Sequence, residues 1–369
     1  MVVIDAEVYS NYFLLSAKQL DTGRVIHFEL YEGKGLDKKG LMGLMRSYTT
    51  ISFNGLNYDL PIITAALSGF SNEAIKRFSD QIILSGTPGW QVCRNWEIDV
   101  PKWDHIDLFE VAPGRSSLKI YGGRLHAPKM QDLPIEPDAV ITPNQRKLLR
   151  EYCVNDLDTT ELLYRKLEKQ VALRQKMGEQ YGMDLRSKSD AQIAETIIKS
   201  ELTAITGKQY YKPKGEQTAF RYIDPKIITF KTEQLQSVFE RILKTRFELG
   251  GNGAVKMPDW LKTNRIKIGS SEYQMGIGGL HSCEKSQYIA ATENTIICDL
   301  DVASYYPSII LQQRLAPKSL GEPFLKVYQS IVERRIHAEK TGDTVTADTL
   351  QIAVNGSFGK LGSKYRALY

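Results

Sequence analysis

Cysteine is scarce in this chain. Cys93, Cys153, Cys283 and Cys298 are its four cysteines; none forms a C-x-x-C pair, and no histidine cluster adjoins them. That spacing argues against a zinc site and makes a reduced, intracellular setting the expectation. Long apolar runs are missing too. No stretch approaches the roughly 20 residues that cross a bilayer, so no membrane partner is expected. The opening Met1-Val2-Val3-Ile4-Asp5 lacks a basic region followed by a long apolar segment, which argues against a signal peptide and for a cytoplasmic location. No internal repeat or low-complexity tract occurs. Strong charge of one sign is absent as well: the formal net charge is +5, which suits a polyanionic partner without requiring one.

What is present is globular. The chain has 369 residues, 42% hydrophobic and 25% charged, enough for two or three domains. Val2–Ile4, Tyr12–Ala17 and Val25–Leu30 read as strands, the third following the turn signal Asp21-Thr22-Gly23. Leu41–Tyr48 reads as a helix, Ile51–Phe53 as a strand and Leu60–Leu67 as a helix, an alternation that indicates an α/β sheet domain. Residues 143–180 are helical by pattern, with Pro143 suited to the first turn. The apolar periodicity lapses at 178–188, the place for a boundary. A helix is expected over 188–205, connecting structure over 207–232, a turn at Gly250–Gly253, a strand from Thr295 to Asp301, and then a helical pair with its hairpin at Thr341–Asp343.

Acidic residues fall in a telling arrangement. Asp5 and Glu7 end the first strand at spacing i, i+2, which points both carboxylates the same way. Adjacent carboxylates repel unless cations sit between them. A divalent metal pair relieves that repulsion, activates a water and stabilises both oxygens of a phosphodiester displacement. By itself the pair would read as two solvated strand-end acids. Asn54-Gly55-Leu56-Asn57-Tyr58-Asp59, between a strand and a helix, can add a third carboxylate. Tyr152 and Asp156 share one helix face at i, i+4, pairing a carboxylate with a hydroxyl able to orient water. Asp158 points elsewhere.

Together these pieces resemble the exonuclease motifs of the DEDD superfamily: D-x-E, then N-x-x-x-[FY]-D, then Y-x-x-x-D. The resemblance covers about residues 1–180 and implies an RNase H-like fold with Mg²⁺- or Mn²⁺-dependent hydrolysis from the 3′ end of DNA. It implies that Asp5, Glu7, Asp59 and Asp156 are metal ligands, that Tyr152 positions the water, and that Asn54 contacts the single-stranded primer end. Ser117–Ile120 with Gly122–Leu125 resembles the connecting region of such domains.

The second half carries Asp301-Val302-Ala303-Ser304-Tyr305-Tyr306-Pro307-Ser308-Ile309-Ile310. It resembles motif A of family B DNA polymerases, D-x-x-S-L-Y-P-S-I-I, with Tyr305 in place of the usual Leu. That implies a palm metal ligand in Asp301, a ribonucleotide-excluding gate in Tyr306 and a nucleotide contact in Ser304. Asp299 shares the strand face but has no role in the motif. Gln351-Ile352-Ala353-Val354-Asn355-Gly356-Ser357-Phe358-Gly359 resembles motif B, K-x-x-x-N-S-x-Y-G, which assigns nucleotide contacts to Asn355 and Gly359. Gly356 and Phe358 replace Ser and Tyr. Gln351 replaces the Lys that pairs with triphosphate, and a neutral amide cannot neutralise phosphate. Arg334, Arg335 and Lys340 on the expected fingers helix remain as phosphate-binding candidates. Gly276–His281, with Gly278 and Gly279, loosely resembles the Y-x-G-G element that meets DNA backbone.

A third polymerase motif, Y-x-D-T-D, is absent, which leaves Asp301 without its partners for a two-metal palm. The expected layout is therefore an α/β, RNase H-like exonuclease domain over 1–180, a connecting region over 181–270, and a partial α+β palm and fingers over 271–369. The short interval from Asp301 to Asn355 argues against protein priming. The compact arrangement resembles bacteriophage enzymes, for which the location would be the host cytoplasm. Lys360, Lys364 and Arg366 would suit template phosphates. Expected partners are single-stranded 3′ ends, primer-template DNA, a deoxynucleoside triphosphate, and a second chain supplying the rest of the polymerase if the enzyme is split. The competing reading is a stand-alone 3′–5′ exonuclease whose polymerase-like half only grips DNA; a non-catalytic DNA-binding module is the third.

Overall fold

The computed structural model describes residues 1–211, 218–250, 254–302 and 304–361. The chain divides into two compact units, 1–189 and 190–369.

The first unit is built on a five-stranded sheet. In chain order its elements are β1 (Val2–Tyr9), β2 (Tyr12–Gln19), β3 (Val25–Tyr31), α1 (Lys38–Ser47), β4 (Thr50–Ser52), α2 (Asp59–Leu67), α3 (Asn72–Ile83), α4 (Gly89–Asn95), β5 (His105–Asp107), α5 (Leu118–Arg124) and α6 (Pro143–Tyr181). The strand order is β3-β2-β1-β4-β5. The first three strands pair antiparallel, while β4 runs parallel to β1 and β5 parallel to β4.

Alternation along β1 sends its side chains to two different cores. Val2, Ile4, Ala6 and Val8 join Leu41 and Met45 of α1, Ile62 and Ile63 of α2, Phe78 of α3 and Val92 of α4. On the opposite face Val3 joins Ile51, Ile106 and Leu157, and Tyr9 joins Leu149 and Cys153. Asp5 and Glu7 fall between Val3 and Tyr9 on that second face, under α6. Each large apolar side chain buried beside them contributes roughly 1.5–3 kcal/mol, so the packing can hold two carboxylates where they are costly. Helix α6 begins with Pro143 in its first turn, and Gln145 Oε1 accepts a hydrogen bond from the Thr142 amide at 2.9 Å. It ends at Gly182, whose φ of 66° suits glycine.

The second unit contains α7 (Asp190–Thr206), β6 (Ala219–Arg221), α8 (Glu233–Lys244), β7 (Arg246–Leu249), β8 (Val255–Lys256), α9 (Asp259–Thr263), β9 (Ile266–Ile268), β10 (Ser271–Met275), β11 (Leu280–Ser282), α10 (Tyr305–Gln312), α11 (Glu322–Thr341) and α12 (Thr344–Leu361). Two three-stranded antiparallel sheets, β6-β7-β8 and β11-β10-β9, form. Leu235, Val238, Phe239 and Ile242 of α8, at helical spacing, line a cavity of about 380 Å³ together with Phe220 and Phe247. Helices α7, α11 and α12 pack on one another, and α10 packs on α11 and α12. The helical pair turns at Gly342, with φ of 76°. The segment 181–270 thus contributes the helix expected over 188–205 to this bundle and strands β6 to β9 to the two sheets. Among the described residues, no helix is long and apolar enough to cross a membrane.

One element departs from expectation. Thr295–Asp301 is not a strand; beyond an isolated Thr292–Thr295 bridge it runs without ladder partners. Ile296 is 84% and Leu300 90% exposed. A β-branched apolar run reads as a buried strand, but a strand exists only where a neighbour accepts its hydrogen bonds. Most of the expected turn at Gly250–Gly253 lies outside the described residues.

Candidate active site

The turn before α2 is shaped by an acid that sequence reading passed over. Asp107, at the end of β5, is buried. Its Oδ1 accepts from the amides of Asn54 at 2.8 Å and Phe109 at 2.9 Å, and its Oδ2 from Leu56 at 2.9 Å. The Asp107 amide in turn donates to Ser187 Oγ at 2.9 Å. Asn54 sits at φ 68°, a left-handed conformation that asparagine tolerates. Asn57 Oδ1 accepts from the Gly89 amide at 2.8 Å. This clamp delivers Asp59 to β1. Pairing of β1 with β4 stops at Val3, and farther along the strand Asp59 Oδ1 accepts from the Ala6 amide at 3.1 Å.

Helix α6 crosses the same sheet face and brings Asp156 to β1. One carboxylate oxygen each from Asp5, Glu7 and Asp156 lies within 4.8 Å of the others. Asp59 is outside that set. It is 3% exposed and lies close enough for its charge to act on Glu7. The structure therefore brings three of the four expected ligands together and holds the fourth alongside, engaged by a backbone amide. Asn54 reaches the neighbourhood through its turn.

The electrostatics follow from burial and like charge. Burial, reinforced by Asp156, pushes Asp5 up to about 7, against the thiol of Cys153. Glu7 is raised well above the carboxylate range by burial and by Asp5, Asp156 and Asp59. Asp59 is raised by burial, Asp5 and Asp107, against the Ala6 amide. Asp156 is raised by burial, opposed by Tyr152, Lys119 and Asn155. The Tyr152 phenol is also raised, first by burial and then by the charges of Asp156 and Glu7, so it stays a neutral hydroxyl. Lys119 is a cation whose charge offsets Glu7 and Asp156. Its ion pair with Asp132 spans 2.9 Å, but Asp132 is almost wholly exposed, so that pairing is weak.

Positive charge at the centre of such a cluster would relieve its repulsion. Three carboxylates of hard oxygen are the donors that Mg²⁺ and Mn²⁺ prefer. Asp5, Glu7 and Asp156 could hold such an ion, with Asp59 beside them and the Tyr152 hydroxyl bonded to Asp156. An ion there would restore the ionised form of every acid in the group.

In the second unit the candidate residues lie on several elements. Asp301 is exposed, and its Oδ1 accepts from the Val302 amide at 2.9 Å. Asp299 is exposed as well. Neither joins a metal-grade cluster among the described residues. Ser304 starts α10 at φ 52°, and the exposed rings of Tyr305 and Tyr306 lie 5.6 Å apart. Arg334 Nη1 pairs with Glu201 Oε1 at 2.7 Å and Arg335 Nη2 with Glu339 Oε1 at 2.7 Å, while Lys340 is exposed. Gly278 and Gly279 lie in the β10–β11 hairpin turn, closed by the Gly276 amide on Gly279 O. On α12, Gln351 is half-buried and Asn355 exposed. Gly359 and Lys360 fall in its last turns, whereas Ala303, Lys364 and Arg366 lie outside the described residues. A Cβ on Gly356 would stand 2.6 Å from Asp190 O and 2.9 Å from Ala194 Cβ. That close approach of α12 to α7 accounts for glycine at this position.

No family model matches the chain, and no curated protein matches it. Among solved structures its fold is similar to the family B DNA polymerase from the hyperthermophilic archaeon Pyrobaculum calidifontis, with a TM-score of 0.53 and 15% identity. The match covers 100% of this chain and 47% of that one, so this chain spans about half the polymerase's length. The likeness is one of fold.

Proposed function

We propose that this chain is a DNA polymerase-related, metal-dependent exonuclease that removes nucleotides from single-stranded 3′ ends of DNA, as a proofreading domain does. In this reading residues 1–180 are the RNase H-like nuclease, 181–270 link it onward, and 271–369 form a partial palm and fingers. Asp5, Glu7, Asp59 and Asp156 bind two Mg²⁺ or Mn²⁺ ions, Tyr152 orients the attacking water and Asn54 touches the primer end. The observation that carries the proposal is the convergence of Asp5, Glu7 and Asp156 beneath α6; the polymerase-like fold favours DNA as the substrate. When bound, the ions would supply a metal-activated water and neutralise the phosphate. The chain's own packing holds the acids together, and burial with their charge keeps the Tyr152 phenol protonated.

A second reading is favoured by the exposed Asp301, which joins no group of three metal-ligating side chains among the described residues. There the second unit only binds DNA, and synthesis needs a further chain bringing the remaining acids. Two assays test the pair. A 5′-labelled oligonucleotide with Mn²⁺ should yield a ladder shortened from its 3′ end; intact oligonucleotide would leave only a binding module. Primer extension with all four deoxynucleotides should give no product; extension by this chain would show its palm to be sufficient.

A further inference from the structure

From Asp5 the sheet carries a polar row whose other members none of the motifs above uses. Asp5 of β1 is in register with Ser16 of β2, and Ser16 is in register with His27 of β3. All three lie on the face covered by α6, and Cys153 of α6 descends between Asp5 and Ser16. Cys153 Sγ is 3.3 Å from Asp5 Oδ2, the Ser16 hydroxyl bonds the Cys153 thiol, and Ser16 Oγ is 2.9 Å from His27 Nδ1. Ser16 and Cys153 are fully buried, so water cannot take either partner's place. His27 is half-buried and lines a surface recess with Lys129, Lys147 and Arg150.

The direction of this chain is forced by valence. A metal-bound carboxylate can only accept, so the Cys153 S–H donates to Asp5, whose Oδ2 at 3.3 Å and carbonyl oxygen at 3.5 Å share it. Its sulfur is then left to accept from the Ser16 O–H, and the Ser16 oxygen to accept from His27 Nδ1–H. We infer that His27, Ser16 and Cys153 are positioning residues that fix the Asp5 carboxylate for metal binding, with His27 held as the Nδ1–H form. His27 faces Arg150 from α6, Glu29 from β3 and the following Lys34; burial and the two cations keep its ring neutral at ordinary pH. A neutral ring has one proton, and the chain requires it on Nδ1 rather than Nε2. The recess over His27 is thus linked to a metal ligand through two fully buried side chains.

This inference rests on the nuclease reading for its metal, and its test separates the two. Nitrogen-15 spectra of the whole chain with saturating Mg²⁺, with His27 assigned by comparison with His27→Gln, should show the Nδ1–H form; an Nε2–H form would overturn the chain's direction. Mn²⁺ titrations then compare variants whose folding is checked by thermal melting. Cys153→Ser keeps a donor and should bind Mn²⁺ within about twofold of the parent, whereas Cys153→Ala and Ser16→Ala should bind about tenfold more weakly. Equal affinity in all of them would overturn the positioning role. Failure of the parent to cut DNA, with this binding pattern intact, would sink the nuclease reading and not this one.

Discussion

Asp5 holds its proton more tightly in the fold than in the unfolded chain, and the consequence can be signed. Its folded value is about 7, raised by burial and Asp156, against an ordinary 3.8. Between those values the folded state binds the extra proton, so without metal its contribution to stability falls as pH rises from about 4 to about 7 and is then fully lost. Asp5→Asn should therefore melt higher than the parent at pH 8 in chelator, with the gap closing toward pH 4; Mn²⁺ should favour the parent. A gap independent of pH would contradict the burial argument. His105, pulled down to about 4 by burial and Arg186, works in the opposite sense. Its contribution is present above about 6.5 and lost as pH falls through 4, so Asp5→Asn must be judged against the parent at each pH. Gly356 offers a steric test. Gly356→Ser should cost about 1–3 kcal/mol in chemical denaturation, because the Asp190 carbonyl must move. An unchanged midpoint would show that α7 and α12 do not approach so closely.

At the level of elements, the clamp between β5 and the turn at 54–59 is what aims Asp59. Removing the Asp107 carboxylate strands the amides of Asn54, Leu56 and Phe109, each costing about 1–3 kcal/mol if it stays dry. Asp107→Ala should speed amide exchange across residues 54–59 and weaken Mn²⁺ binding, while the amides of β2 keep their protection; unchanged exchange in the turn would refute the clamp. These same elements show what a sequence can and cannot disclose. The spacing of Asp5 with Glu7 and of Tyr152 with Asp156 is local, so strand and helix periodicity alone place each pair on one face. The partners of those acids are not local. Asp107 stands 53 residues from Asn54 and Cys153 stands 148 from Asp5, and no short pattern marks such contacts. Lys119 lay inside a motif read only as connecting structure. The run Thr295–Asp301 shows the converse: its residues favour a strand, but no described strand pairs with them. Helix α8 was missed because its apolar residues 235, 238, 239 and 242 sit beyond a Lys-, Pro- and Gly-rich stretch that obscures the period.

At the scale of the whole molecule, the division at residues 189 and 190 separates the clustered acids from Asp301. Residues 1–189 contain every member of the cluster, its clamp and both covering cores, so this piece should fold alone and retain Mn²⁺ binding. A shortened chain without cooperative melting would show that the first unit depends on the second. The central claim is that phosphodiester cleavage belongs to the first unit. A time course on 5′-labelled single-stranded DNA with Mn²⁺, run in parallel for the parent, Asp5→Ala/Glu7→Ala and Asp301→Ala, tests it most directly. The account expects equal 3′-end shortening by the parent and Asp301→Ala, and a loss of about 10²-fold or more in the double variant. Undiminished shortening by Asp5→Ala/Glu7→Ala, or its loss in Asp301→Ala, would contradict it.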